Sequence, residues 1–199
     1  MKLKSLSLQD CEQVRQWRNE CLEALRTPFP LTKEMQEQFY RDVVCNRDAR
    51  SRYWGVWHDC EDLQPEEECL HFIGMVGLEN IEWENRRSEI SIILSPDFRG
   101  KGYGEQAVDL LLEQGFFFLN LENVWGECYE NNPALDFWMK ITSRYNPGQK
   151  QCWLDCTKYY AGKYWDSFWF NIEKKEWVKS KVNGLKPDMI IIDEFHKEE

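Results

Sequence analysis

At 199 residues, 42% of them hydrophobic and 15% aromatic, the chain is long enough to bury the core of one domain. A formal net charge of -10 argues against nucleic acid or an anionic membrane as main partner and favours a cationic substrate such as an amine. The opening MKLKSLSLQDCEQVRQW carries no long apolar run, so neither a secretory leader nor a membrane span is expected. The eight cysteines lack metal-ligand spacing, which predicts reduced thiols in a cytoplasm and no metal site.

In chain order, KLKSLSL reads as a first strand, and Asp10 as the cap of a helix over Cys11 to Arg26 with Val14, Trp17, Cys21 and Leu25 on one stripe. TPFP breaks it, and Thr32 caps a second helix from Lys33 to about Cys45. Arg52 to Trp57 is a strand, Asp59 to Glu68 an acidic surface turn, and CLHFIGMVGLENI a longer strand bent at its glycines. Ser88 to Leu94 has the apolar run of a central strand. A helix over Gly104 to Leu119 follows, then the strand NVWGECY and a helix opened by Asn132-Pro133. Two strands flank the turn Ala161-Gly162-Lys163, and residues 180–199 form a polar tail with one apolar island. The order β-α-α-β-β-β-α-β-α-β-β predicts an α/β domain around a mixed sheet over residues 1–178, with a C-terminal extension over 179–199.

One stretch raises a chemical question. Arg99-Gly100-Lys101-Gly102-Tyr103-Gly104 lies between a strand and a helix, the one locally cationic spot in an acidic chain. Unpaired N–H groups at a helix start, with the helix dipole, bind phosphates, and glycine lets a bulky anion lie on bare backbone. A tight turn needing glycine for geometry alone is the plain alternative. No Gly-Lys-Ser/Thr ends the stretch, so it is not a nucleotide P-loop, and its G-x-G-x-G spacing is not the dinucleotide fingerprint.

FRGKGYGEQA resembles the acyl-CoA pyrophosphate loop of the GCN5-related N-acetyltransferases, Q/R-x-x-G-x-G/A, through Arg99, Gly102 and Gly104. WRN at 17–19, GLENIEWENRRSEISIIL at 77–94, YENNPALDFW at 129–138 and GKYWDSFWF at 162–170 are similar, in the same order, to the branch of ribosomal-protein N-terminal and spermidine N-acetyltransferases. The resemblance implies a mostly antiparallel mixed sheet splayed between its fourth and fifth strands, with acetyl-CoA in the gap. Pantetheine would pair with Ile92, Ile93 and Leu94, pyrophosphate with the amides of Arg99 to Gly104, Tyr103 included, and Asn131 would touch the pantetheine arm. It implies an acetyl-CoA-dependent transfer to a primary amine of a polyamine, small molecule or peptide, without metal, in a cytoplasmic protein for which a homodimer is open.

Direct transfer to an amine needs a proton acceptor, and an acid helps the thiolate to leave. Glu89 is the base candidate: it sits on the central strand beside the loop, facing the same side as Ser91 and Ile93, and the matching Glu recurs in the resembling branch. Its plain alternative is a structural carboxylate paired with Arg86 or Arg87. Glu79 and Glu82 are weaker candidates that could orient a cationic substrate. Where the resembling family carries an acidic Tyr this chain has Trp138, which cannot release a proton near neutral pH. Tyr129 and Tyr145 are the phenols that could substitute. A non-catalytic acyl-CoA-binding module is the competing function; a nucleotide-binding protein is disfavoured because no metal-binding Asp follows a strand in the right context.

Overall fold

The computed structural model describes residues 1–26, 28–59, 70–146, 148 and 152–184. Among the described residues the strands are β1 (Lys2–Lys4), β2 (Arg52–Asp59), β3 (Leu70–Glu82), β4 (Arg87–Leu94), β5 (Asn123–Tyr129), β6 (Cys152–Tyr160) and β7 (Lys163–Glu173). They form one sheet in the order β1-β2-β3-β4-β5-β7-β6, antiparallel except for the β4–β5 pair. The α-helices among the described residues are α1 (Leu8–Asn19), α2 (Lys33–Phe39), α3 (Tyr103–Glu113), α4 (Leu135–Tyr145) and α5 (Lys174–Gly184). The acidic turn expected over 59–68 lies outside the described residues except for Asp59, whose carboxylate pairs with the Met1 amine at 3.0 Å. The apolar island of the tail lies outside them too.

The helix ends differ from expectation for local reasons. Helix α1 starts at Leu8 because Ser7, not Asp10, is its cap. The Ser7 hydroxyl accepts from the Asp10 N–H at 3.2 Å while the Asp10 carboxylate accepts from the Ser7 N–H at 2.8 Å, a reciprocal capping box. It stops at Asn19, whose side chain clamps the returning chain through both polar groups of Leu31, at 2.8 and 3.0 Å. Residues Leu22–Ala24 then form a separate short turn. Helices α2 and α3 each run on into a π turn, Tyr40–Val44 and Gln114–Phe118, so their cylinders reach nearly as far as the apolar pattern predicts. Helix α4 begins at Leu135 rather than at Pro133, since Asn132 folds its amide oxygen onto the Ala134 N–H at 2.8 Å.

Period-2 alternation gives the sheet two apolar faces. On one, Leu78, Ile90, Val124, Phe168 and Phe170 pack against Val108, Leu111 and Leu112 of α3 and Trp138 and Ile141 of α4. On the other, Met75 meets Cys11 and Val14 of α1. The feature that positions the site lies at the sheet's centre. Strands β4 and β5 pair only at Arg87 with Asn123, Ser88 with Val124 and Glu89 with Trp125, and beyond Glu89 their pairing ends. Residues Ile90–Leu94 therefore present their β5-side backbone to a gap, with the glycine loop at its far end.

Candidate active site

The glycine loop begins where Leu94 ends β4. The Arg99 guanidinium turns back and donates to the Leu94 carbonyl at 3.0 Å, folding the loop over the strand end. Gly100 and Gly102 both have positive φ, 73° and 86°, and a Cβ on either would meet no atom within 4 Å. They are glycine for backbone conformation and leave an open surface above it. Gly102 caps α3 and, having no side chain, leaves the first N–H groups of that helix without a side-chain acceptor. Gly104 is glycine for a different reason: its Cβ would stand 3.2 Å from the Phe137 ring of α4. Lys101 holds its ammonium 5.6 Å from the Phe98 ring, and Tyr103 leans away onto β2, its hydroxyl 3.1 Å from His58 Nε2. The loop is thus a bare, cationic, amide-lined cradle at the mouth of the gap, and these features fit a pyrophosphate.

Across the gap, Asn131 follows β5. Its amide nitrogen donates to the Glu23 carbonyl at 3.1 Å, and its Oδ1 is buried without a partner. A buried acceptor without a partner is an atom that a ligand N–H would satisfy.

The face of the sheet at the point of divergence gathers the remaining candidates. Glu89 is 6% exposed and lies between Glu79 on β3 and Trp125 on β5. It is paired, but with neither Arg86 nor Arg87. Arg86 binds Asn120 and Glu122, and Arg87 binds Glu82 through two contacts of 2.9 Å. The partner is Arg26, 63 residues away, whose two terminal nitrogens reach both Glu89 oxygens at 2.5 and 3.4 Å. Asn80 adds an amide donor at 3.2 Å. The same guanidinium donates to Glu127 at 3.1 Å and, through Nε, to the Tyr129 hydroxyl at 3.4 Å. Burial raises the Tyr129 phenol above its ordinary range, the Arg26 bond opposes this, and the Glu127 charge adds to it. The Lys158 ammonium, 4.5 Å from the Tyr129 ring, is lowered by burial. Arg26 escaped the sequence reading because it is distant in the chain and was assigned to the end of α1.

Of the other candidates, Glu79 faces the site and, after burial, is the second influence raising the Tyr53 phenol. Glu82 sits at the far end of β3, where Arg87 holds its carboxyl below the usual range. Trp138 is 6% exposed, its indole stacked on Phe170 at 4.9 Å. Tyr145 is fully buried and donates to Asp109. Among the described residues no cluster of His, Cys, Asp and Glu is arranged to hold a metal ion, and no helix is long and apolar enough to cross a membrane.

Comparison with known proteins gives a consistent picture. The model of the acetyltransferase (GNAT) domain family matches residues 1–136. An uncharacterized N-acetyltransferase of Bacillus subtilis, YnaD, is 30% identical over 90 residues, 45% of this chain and 50% of that protein. The spermidine N(1)-acetyltransferase of Vibrio cholerae is 26% identical over 106 residues, 53% of this chain and 54% of that protein. The chain thus matches about half the length of these curated relatives. A solved structure of the Vibrio cholerae spermidine N-acetyltransferase, in complex with CoA and spermine, superposes with a TM-score of 0.72 at 21% identity, covering 89% of this chain and 97% of that one. At that identity the likeness shows the fold: the same splayed, mostly antiparallel sheet between helices.

Proposed function

The chain belongs to the GNAT acetyltransferase family, and on that footing we propose that it transfers an acetyl group from acetyl-CoA to a primary amine. The observation that carries this reading is the conjunction of the open cationic glycine loop with the gap between β4 and β5, where Arg26 contacts both Glu89, at the point where the strands part, and Tyr129, at the end of β5. Acetyl-CoA supplies, when bound, an acetyl group activated as a thioester. The backbone of Ile92 to Leu94 lines the gap for its amides, Asn131 Oδ1 accepts from it, and the N–H groups from Arg99 to Gly104, with Lys101, hold its phosphates. Glu89 is the base: it takes the proton that the attacking amine must lose, directly or through a water. Tyr129 is the acid, giving its hydroxyl proton to the sulfur as the carbon–sulfur bond breaks. The acceptor approaches on the face bearing Glu79, Glu89 and Glu127, three carboxylates suited to an amine that arrives as a cation. Glu82 would orient only the far end of a long acceptor. The reacting unit is a single domain that takes in α5 to Gly184, past the boundary expected at residue 178. The free thiols of all six described cysteines suit a reducing cytoplasm.

The test is thiol release from acetyl-CoA against polyamines, aminoglycosides, amino acids and peptide N-termini, with wild type and Glu89→Gln. Glu89→Gln should lower kcat roughly tenfold to a thousandfold, the range of general-base contributions, with acetyl-CoA affinity little changed. Full activity of Glu89→Gln at neutral pH moves the base elsewhere. Tight acetyl-CoA binding with no transfer to any amine makes the chain an acyl-CoA-binding module instead.

A further inference from the structure

Arg26 has no role in the chemistry above, yet it is the side chain on which the site converges. We propose that Arg26 is a positioning residue that fixes the base carboxylate and the acid phenol relative to each other. The proposal rests on the roles just given to Glu89 and Tyr129.

The argument starts from donor and acceptor count. A guanidinium donates and never accepts. Its terminal nitrogens take both Glu89 oxygens, a two-point fork that removes the rotation a carboxylate would otherwise have. Its Nε–H is directed at the Tyr129 oxygen. Because that oxygen is the acceptor, the Tyr129 hydrogen must point away from Arg26, and the phenol is left ready to donate to a ligand. One side chain therefore sets the orientation of both groups, and Glu127 holds the fork from a third side at 3.1 Å.

The backbone that delivers Arg26 is fixed as well. The Glu23 carbonyl accepts from Lys158 Nζ and from Asn131 Nδ2 at 3.1 Å, and the Ala24 carbonyl accepts from Asn132 Nδ2 at 3.2 Å. Lys158 is 5% exposed, and Asn131 and Asn132 lie just past Tyr129. The turn before Arg26 is thus tied to the end of β5 that carries Tyr129 and Glu127. A long cation on a free surface loop would sample many positions, whereas this one is bracketed to the strand it serves.

The charge has a consequence of its own. Glu89 and Glu127 together would hold an approaching amine in its ammonium form, which cannot attack. One guanidinium paired with both cancels half of that charge.

Steady-state kinetics of Arg26→Ala, Arg26→Lys and Glu89→Gln, with melting temperatures, test the proposal. Arg26→Ala should lose at least about tenfold in kcat, the scale of a misplaced acid–base group, with KM for acetyl-CoA unchanged. Guanidinium chloride below denaturing concentration should restore part of that loss and leave wild type unaffected. Arg26→Lys should fall between, since an ammonium keeps the charge but not the planar fork. A folded Arg26→Ala with wild-type kcat overturns the proposal, as does Arg26→Lys at wild-type kcat. If Arg26→Ala does not fold, Arg26→Lys decides alone. Loss in Glu89→Gln without loss in the Arg26 variants removes only this inference. Unchanged Glu89→Gln, or a wild type that acetylates no amine, removes the catalytic reading and this one with it.

Discussion

Tyr129 ends β5 with its ring under the Lys158 ammonium and its oxygen on Arg26. Burial is the largest influence on its phenol and raises it, so it stays protonated beyond the ordinary phenol value of about 10. An acid works only while protonated; its contribution is present below its pKa and lost as pH rises through it. The alkaline limb of kcat at saturating amine should therefore lie above pH ~10, and in Tyr129→Phe the limb should vanish with kcat reduced at every pH. An unchanged limb in Tyr129→Phe rejects Tyr129 as the acid. The sequence made Tyr129 a candidate by its place at the end of the fifth strand, and Glu89 by its place on the central strand beside the loop and by alternation along it. It could not expose Arg26, because the contact spans 63 residues and depends on a turn pinned by side chains from two other elements. Nor could it place Trp138: the pattern fixes its helix, but only packing sets its indole on Phe170 in the core.

The loop and β4 were the most legible elements, since both rest on short local patterns, an apolar run and three alternate glycines. Their glycines nonetheless answer to different constraints. The Cβ of an aspartate at Gly102 meets no atom within 4 Å, but the residue must adopt φ 86° and brings a negative charge to the cradle. An aspartate at Gly104 must first displace the Phe137 ring, 3.2 Å from its Cβ. Gly102→Asp should weaken acetyl-CoA binding in calorimetry at least about tenfold with only a small fall in melting temperature. Gly104→Asp should lower both affinity and melting temperature, because it disturbs the α3–α4 contact. Unchanged affinity in a folded Gly102→Asp moves the phosphate site off the loop. The helix ends were less legible. Ser7 and Asp10 are both good caps, and only the reciprocal bonds decide between them. The π turns after α2 and α3 keep apolar residues facing the core, so hydrophobic spacing cannot distinguish them from continued α-helix.

For the molecule as a whole, the order of elements was readable to β7, and the mixed sheet with it. The insertion of β7 between β5 and β6 was not, since a hairpin's sequence does not say which of its strands faces the rest of the sheet. Helix α5 was missed altogether, and the domain boundary expected at residue 178 falls inside it. Its sequence, KKEWVKSKVNG, is mostly polar, and Trp177, with Val178 beside it, carries its apolar contact with the core. Trp177 is 5% exposed, packs on Phe116 at 5.6 Å and donates to Asp109 at 3.2 Å. Asp109 also accepts from Tyr145 and pairs with Lys181 at 2.5 Å, so one carboxylate of α3 gathers α4 and α5. The two anchors of α5 differ in burial and hence in weight. Trp177→Ala removes a buried indole and should cost about 3–5 kcal/mol, whereas Lys181→Ala breaks a partly exposed pair and should cost under ~1 kcal/mol. Denaturant unfolding of both variants, with acetyl-CoA affinity measured alongside, checks the ranking; affinity should change in neither, because Asp109 lies away from the N-terminal turn of α3 that meets the loop. Equal losses in the two variants would make the ion pair, not the indole, the anchor of α5. A loss of acetyl-CoA affinity in folded Trp177→Ala would show that the C-terminal helix supports the cofactor cradle through α3.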